Sequence, residues 1–135
     1  MQTIHATAVS VQGQGVLLVG PPGSGKSDLA LRLIDRGATL VADDRVHLDP
    51  AGRLHPPPTL AGLIEVRGLG ILTMPYAAGT AASLLVDLST APERMPACAF
   101  RTVAGVDLPL LRLCAFEPSA PLKVELAVAH GMPLG

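Results

Sequence analysis

An α/β fold, one domain built on a mixed central sheet with few helices, is what this sequence predicts, and three observations carry the prediction. A glycine-rich loop lies between an apolar run and an amphipathic helical segment. Short apolar segments of strand length recur on both sides of that helix. Glycine and proline, 14 and 13 of 135 residues, divide the chain into short elements joined by many turns. A length of 135 residues accommodates one core, so residues 1–135 are expected to form a single unit, with 49% hydrophobic residues to fill it.

The elements follow in order. Thr7–Ala8–Val9–Ser10–Val11 alternates, Gly13–Gln14–Gly15 reverses the chain, and Val16–Leu17–Leu18–Val19 is a continuous apolar run suited to a strand buried on both faces. Lys26 to Arg36 sets Leu29, Ala30, Leu33 and Ile34 on one helical face, with Asp28 in the first turn and Gly37 as a C-terminal cap. Thr39 to Ala42 reads as a second buried strand, and Val46–His47–Leu48 followed by Asp49–Pro50–Ala51–Gly52 as a strand and tight turn. His55–Pro56–Pro57–Pro58 is expected to be an extended connector, since consecutive prolines continue neither a helix nor a ladder. Further strands are expected at Leu63–Val66, Ser83–Leu88, Phe100–Val103 and Leu108–Leu113. In the tail, Leu122, Val124, Leu126 and Val128 alternate like a strand. Ser119 as cap, Pro121 in the first turn and Gly131 beyond the end favour a helix instead.

Composition removes several classes of function. A net charge of −1 provides no basic field for nucleic acid or for a polybasic membrane contact, so neither partner is expected. Tyr76, Phe100 and Phe116, the only aromatics, leave little material for stacking bases or sugars. Cys98 and Cys114 lack metal or redox spacing and are expected to be buried thiols. No signal-peptide pattern precedes Lys26, and the longest uncharged run, between Arg67 and Asp87, is interrupted by glycine, proline, serine and threonine. A cytoplasmic chain without a membrane span is expected.

The chemistry concentrates in three places. Gly20–Pro21–Pro22–Gly23–Ser24–Gly25–Lys26–Ser27 satisfies the phosphate-loop pattern with the required strand before it and helix after it. Its glycines let successive N–H groups face phosphate oxygens at the positive end of the helix. Lys26 is then the side chain for the β/γ-phosphates and Ser27 a Mg²⁺ ligand. Asp43–Asp44 closes an apolar strand 17 and 18 residues after Lys26, at the sheet edge where α/β proteins bind ligands. Two adjacent carboxylates there divide the labour, one holding Mg²⁺ and one taking a proton from an attacking hydroxyl. In Glu65–Val66–Arg67–Gly68–Leu69–Gly70, alternation sets Glu65 and Arg67 on one strand face, either as a metal ligand beside a phosphate fork or as a solvated ion pair. His5, a lone histidine near a terminus, reads by itself as a surface residue.

Together, Ile4–His5, Gly20 to Ser27, Arg36–Gly37 leading into Leu40 to Val46, and Glu65–Val66–Arg67–Gly68–Leu69–Gly70–Ile71 resemble the catalytic domain of HPr kinase/phosphorylase, a fold related to phosphoenolpyruvate carboxykinase. The resemblance implies an enzyme that uses ATP and Mg²⁺ to phosphorylate a serine of a small HPr-like phosphocarrier of the sugar phosphotransferase system, and that can reverse the transfer with inorganic phosphate. It implies catalytic roles for Asp43 and Asp44, with Asp44 favoured as proton acceptor, Glu65 as second Mg²⁺ ligand and His5 as an active-site histidine. Glu93–Arg94–Met95–Pro96 looks like the family's D-R-L-G segment, which makes Arg94 an assisting arginine alongside Arg67. It also implies a homo-hexamer, and a short form without the N-terminal regulatory domain of longer relatives. Residues 111–118 depart from the family's basic P-V-R-P-G-R-N-type segment, which weakens the expected phosphorylase activity. A small-molecule kinase and a non-catalytic nucleotide sensor are the alternatives. The retained carboxylates argue against the sensor, and the lack of a long lid insertion against the small-molecule kinase.

Overall fold

A computed structural model describes residues 1–131. Its centre is β3 (Gln14–Val19), which pairs antiparallel with β2 (Thr7–Val11) and parallel with β9 (Thr80–Asp87). β2 in turn pairs antiparallel with β4 (Thr39–Ala42), the edge strand on that side. The other edge of β9 is shared: β6 (Arg53–His55) pairs antiparallel with its start, and β11 (Val106–Arg112) pairs parallel with its end. β5 (Val46–Leu48) and β1 (Gln2–Ile4) extend the sheet beyond β6, and β10 (Phe100–Val103) pairs antiparallel with β11. Nine strands thus form one mixed sheet.

The unbroken apolar run in β3 follows from cover on both faces. Val16 and Leu18 enter one core with Val9 and Val11 of β2 and Leu84 and Val86 of β9. Leu17 enters a second core on the opposite face, with Ala8, Val41, Leu85 and Leu108. The first core is covered by α1 (Lys26–Asp35) and α2 (Ala120–His130), and the second by the β1–β5–β6 side and the β10–β11 hairpin. Shortening a fully buried side chain here, such as Leu17 or Leu33, is expected to cost about 2–5 kcal/mol.

The helix α1 buries Leu29, Ala30 and Leu33 and ends in a Schellman turn. The Gly37 N–H donates to Ile34 O at 3.0 Å and the Ala38 N–H to Leu33 O at 3.0 Å, with Gly37 at φ 111°. This stop returns the chain to β4 within a few residues and so delivers Asp43 beside the start of α1.

Several expectations are corrected. Cys98 and Cys114 are exposed free thiols, not buried ones. Leu113 and Ala115 both point inward, so alternation turns Cys114 outward. The connector expected at His55–Pro58 is partly structured: Arg53–His55 forms β6 and Pro58–Leu60 a 3-10 turn. The reversal between β2 and β3 falls on Gln12 and Gly13, both at positive φ, one residue before the turn expected from the glycines. The tail is the helix α2, but Ser119 makes no side-chain cap bond, and Ala120, Val124, Ala127 and Val128 hold it by packing on the first core. A hairpin of β7 (Leu63–Val66) and β8 (Gly70–Thr73) stands apart as its own two-stranded sheet.

Candidate functional site

The Gly20–Ser27 loop leaves the C-terminal end of β3 and runs into α1. At Gly20 a Cβ would lie 2.5 Å from Ser24 Oγ, so any larger residue there would have to displace the Ser24 hydroxyl. At Gly23, φ is 83° and a Cβ would meet nothing within 4 Å, so the loop surface there is bare main chain. The Lys26 ammonium donates to the main-chain oxygens of Gly20 (2.7 Å) and Pro21 (3.2 Å) and pairs with no carboxylate among the described residues. Ser24 Oγ is buried without a hydrogen-bond partner among the described residues. An unpartnered hydroxyl, a cation resting on neutral oxygens and a helix N-terminus together fit an anion with several oxygens.

The two carboxylates differ sharply. Asp43 Oδ1 accepts from Ser27 Oγ (2.6 Å) and Thr7 Oγ1 (3.1 Å), and Oδ2 accepts from the Glu65 N–H (2.9 Å). Asp43 therefore ties together β2, β4, α1 and β7. Asp44 lies at φ 70° inside a three-residue turn closed by the Arg45 N–H on Asp43 O at 2.8 Å. Such turns are rare and strained for a non-glycine residue, at a cost of order 1–3 kcal/mol. The turn swings the Asp44 carboxylate outward, where Oδ1 lies 2.7 Å from His5 Nε2 and Oδ2 has no partner among the described residues. Against an ionised Asp44, His5 must carry its proton on Nε2. Both side chains are more than half exposed, at 64% for His5 and 62% for Asp44.

A cavity of about 620 Å³ brings together His5, Lys26, Ser27, both aspartates, Glu65 and Arg67. Arg67 reaches it from the turn between β7 and β8, not from the strand, so the expected shared strand face does not apply; neither Glu65 nor Arg67 enters an ion pair among the described residues. Arg94 is exposed in the segment between β9 and β10 and does not line the cavity. No three acidic, histidine or cysteine side chains converge into a metal cage among the described residues. Ser27, Asp43 and Glu65 line the same cavity, with Ser27 Oγ donating to Asp43 Oδ1 at 2.6 Å.

Two lining residues went unread in the sequence. Thr7 looked like an ordinary strand residue, yet it is fully buried with its hydroxyl bridging Asp43 Oδ1 and the Asp44 N–H (3.3 Å). Thr7 opens β2, which carries a second hydroxyl at Ser10, so no local pattern singles it out. Phe116, one of the chain's few aromatics, lies on the cavity rim. No helix among the described residues is long and apolar enough to cross a membrane.

The HPr Serine kinase C-terminal domain family matches residues 1–85. The HPr kinase/phosphorylase of Burkholderia lata is 40% identical over 148 residues, covering 95% of this chain and 45% of that protein. The protein of the same name from Bordetella petrii is 50% identical over 74 residues, covering 52% of this chain and 24% of its own length. The chain thus spans less than half the length of these curated relatives. The solved Hpr(Ser) kinase/phosphatase from Coxiella burnetii superposes with a TM-score of 0.80 at 28% identity, covering 96% of this chain and 95% of that one. With a matching family covering more than half of its residues and a relative aligned over nearly all of them, this chain belongs to the HPr serine kinase C-terminal domain family.

Proposed function

We propose that this chain is an ATP- and Mg²⁺-dependent protein-serine kinase whose acceptor is a small HPr-like phosphocarrier protein. The names of its relatives support the acceptor class. The observation that carries the chemistry is the division between the aspartates: Asp43 has both oxygens engaged, while Asp44 keeps Oδ2 open at the cavity mouth.

In this reading Gly20–Ser27 is a phosphate loop, and Lys26 exchanges its two main-chain oxygens for the β/γ-phosphates. Ser27, Asp43 and Glu65 hold Mg²⁺, which when bound offsets the phosphate charge. Asp43 acts mainly as an organiser, since its bonds to Ser27, Thr7 and the Glu65 main chain fix loop, sheet and hairpin relative to one another. Asp44 takes the serine proton on Oδ2, and His5 holds Oδ1 so that the free oxygen keeps its aim. Arg67 offers a planar fork for the oxygens of the phosphoryl group in transfer. The basic groups lining the cavity are His5, Lys26 and Arg67, a thin supply for a second anion, so reversal with inorganic phosphate is slower than the forward reaction. The proposed assembly is a homo-hexamer, which light scattering can check.

The test is incubation of the chain with labelled ATP, Mg²⁺ and an HPr-like carrier, followed by mapping of the label. A serine of the carrier is expected to be modified. Turnover of ATP without any carrier would replace this reading with a small-molecule kinase, and tight ATP binding with no transfer would replace it with a sensor.

A further inference from the structure

We infer that Phe116 is a stacking platform for the nucleobase, an aromatic contact built into the rim of the cavity. The inference rests on the nucleotide reading of the site proposed above. Phe116 is one of three aromatic residues in the chain, belongs to neither core, and is 63% exposed. Exposure by itself does not single the ring out, since Phe100 and Tyr76 are also at least half exposed; Phe116 differs in lining the cavity beside Lys26 and the loop glycines.

Its position is held from several sides. A Cβ added to Gly25 would lie 3.1 Å from Phe116 Cζ and 2.8 Å from Ala115 Cβ, so the ring lies against the loop main chain and Gly25 supplies the clearance. Ala115 is buried, which anchors the segment from below. Arg32 of α1 donates to Ala115 O and, at 3.3 Å, to Glu117 O, while its Nε donates to Asp28 Oδ2 at 3.1 Å. Glu117 is tied to Lys123 of α2 at 2.9 Å. A ring with few side-chain torsions on such a pinned main chain is organised before any ligand arrives.

The direction of a bound triphosphate makes the ring's partner the base. Lys26 takes the β/γ end, and Ser27 faces Asp43 on the same side. The α-phosphate then falls to the loop and the first turn of α1, which is the turn that Arg32 ties to the Phe116 segment through Asp28. Ribose and base leave the site on the Phe116 side, away from Asp44. Stacking tolerates any base with a π-face, so ATP and GTP should use the ring similarly.

The experiment compares MgATP, MgGTP and magnesium-bound inorganic triphosphate on the full chain by calorimetry. Phe116→Ala should raise the Kd for both nucleotides about tenfold and leave inorganic triphosphate within about twofold. Phe116→Trp should keep nucleotide affinity and, in a chain without tryptophan, give a single tryptophan whose emission is quenched by ATP but not by triphosphate. Unchanged nucleotide affinity in Phe116→Ala overturns the inference, as does an equal loss for nucleotide and triphosphate, which would make the ring a support for the loop. Normal ATP affinity with impaired transfer to a carrier would assign the ring to the acceptor and also overturn it. If the unmodified chain binds neither nucleotide nor triphosphate, the nucleotide reading of the whole site falls first, and the inference falls with it.

Discussion

Two acidic positions leave the sheet on either side of the Gly20–Ser27 loop, and they have opposite surroundings. Asp87 ends β9, directly beside β3, and Asp43–Asp44 follows β4, one strand beyond β2. Asp87 is 4% exposed, accepts from Arg101 Nη2 at 2.8 Å, and is bonded by both the main chain and the hydroxyl of Ser89. Burial, the largest single influence, pushes its carboxyl up, but the bonds from Ser89 and Arg101 outweigh that and hold it below the ordinary carboxylate value. Asp43 has neutral donors alone, and Asp44 has His5 and an open oxygen. The same residue type at the C-terminal end of a sheet strand is thus a structural brace where a guanidinium neutralises it, and in the function proposed above it is a reactive group where its charge is left for a ligand.

The comparison is broken most forcefully at Asp44. Asn occupies left-handed backbone conformations at least as readily as Asp, so Asp44→Asn should keep the strained turn while removing the proposed proton acceptor. The transfer rate should fall by roughly 10²–10⁴-fold with nucleotide affinity held within a few-fold. A loss of less than tenfold, measured with carrier under single-turnover conditions, would take the proton-acceptor role away from Asp44.

Asp43→Asn probes the organiser. It should raise the Mg²⁺ concentration needed for half-maximal transfer by about tenfold or more, and it should alter the response to Mn²⁺, if the replaced carboxylate is the hard-cation ligand proposed above. An unchanged metal requirement with reduced stability would make Asp43 a brace like Asp87. His5→Gln offers a finer comparison: an amide N–H can still reach Asp44 Oδ1, so transfer should fall less than in His5→Ala.

The parts of this division that the sequence exposed are those written in short local patterns. Asp43–Asp44 was readable because an apolar strand runs straight into it, and the Gly20–Ser27 loop because both of its flanks agree. The boundaries of α1 were readable from Gly37 and from one apolar stripe. Roles set by distant partners were not. The charge on Asp87 is balanced by Arg101, on a different strand, so the residue read only as the end of a run. Thr7 meets Asp43 because the β2–β4 register sets Ala8 opposite Ala42, a pairing no local pattern encodes. β8 escaped notice because all four of its residues are exposed, leaving no buried face to impose an alternation. Arg67 was assigned to a strand because a period of two was carried past Val66, where the chain has begun to turn.

Asp87→Asn should act on stability and hardly at all on chemistry. It strips the charge from a buried acceptor and leaves Arg101 without its partner, for an expected loss of about 1–2 kcal/mol. At this chain length that corresponds to a fall in Tm of roughly 3–6 °C. Transfer at a temperature where the variant is folded should stay within about twofold. A larger loss of transfer without loss of Tm would mean that the carboxylate beside β3 belongs to the active site after all.

The smallest effect distinguishes the braces by pH. Asp87 has a lower pKa folded than unfolded, where a value of about 3.9 applies, so between the two values the unfolded chain binds more protons. Its contribution to stability is therefore complete above about pH 5 and is lost as pH falls through the folded-state value. The slope it adds cannot exceed about 1.4 kcal/mol per pH unit. Asp49 acts in the same direction, its carboxyl lowered first by the Arg53 main-chain N–H and then by His55, so acid sensitivity should not vanish when Asp87 is replaced. Urea denaturation from pH 6 to pH 2.5 should accordingly show a shallower fall in stability for Asp87→Asn than for the unmodified chain, with the curves parallel above pH 5. Parallel curves down to pH 2.5 would mean that Asp87 titrates alike in the folded and unfolded states, and that its Arg101 pair contributes nothing that depends on charge.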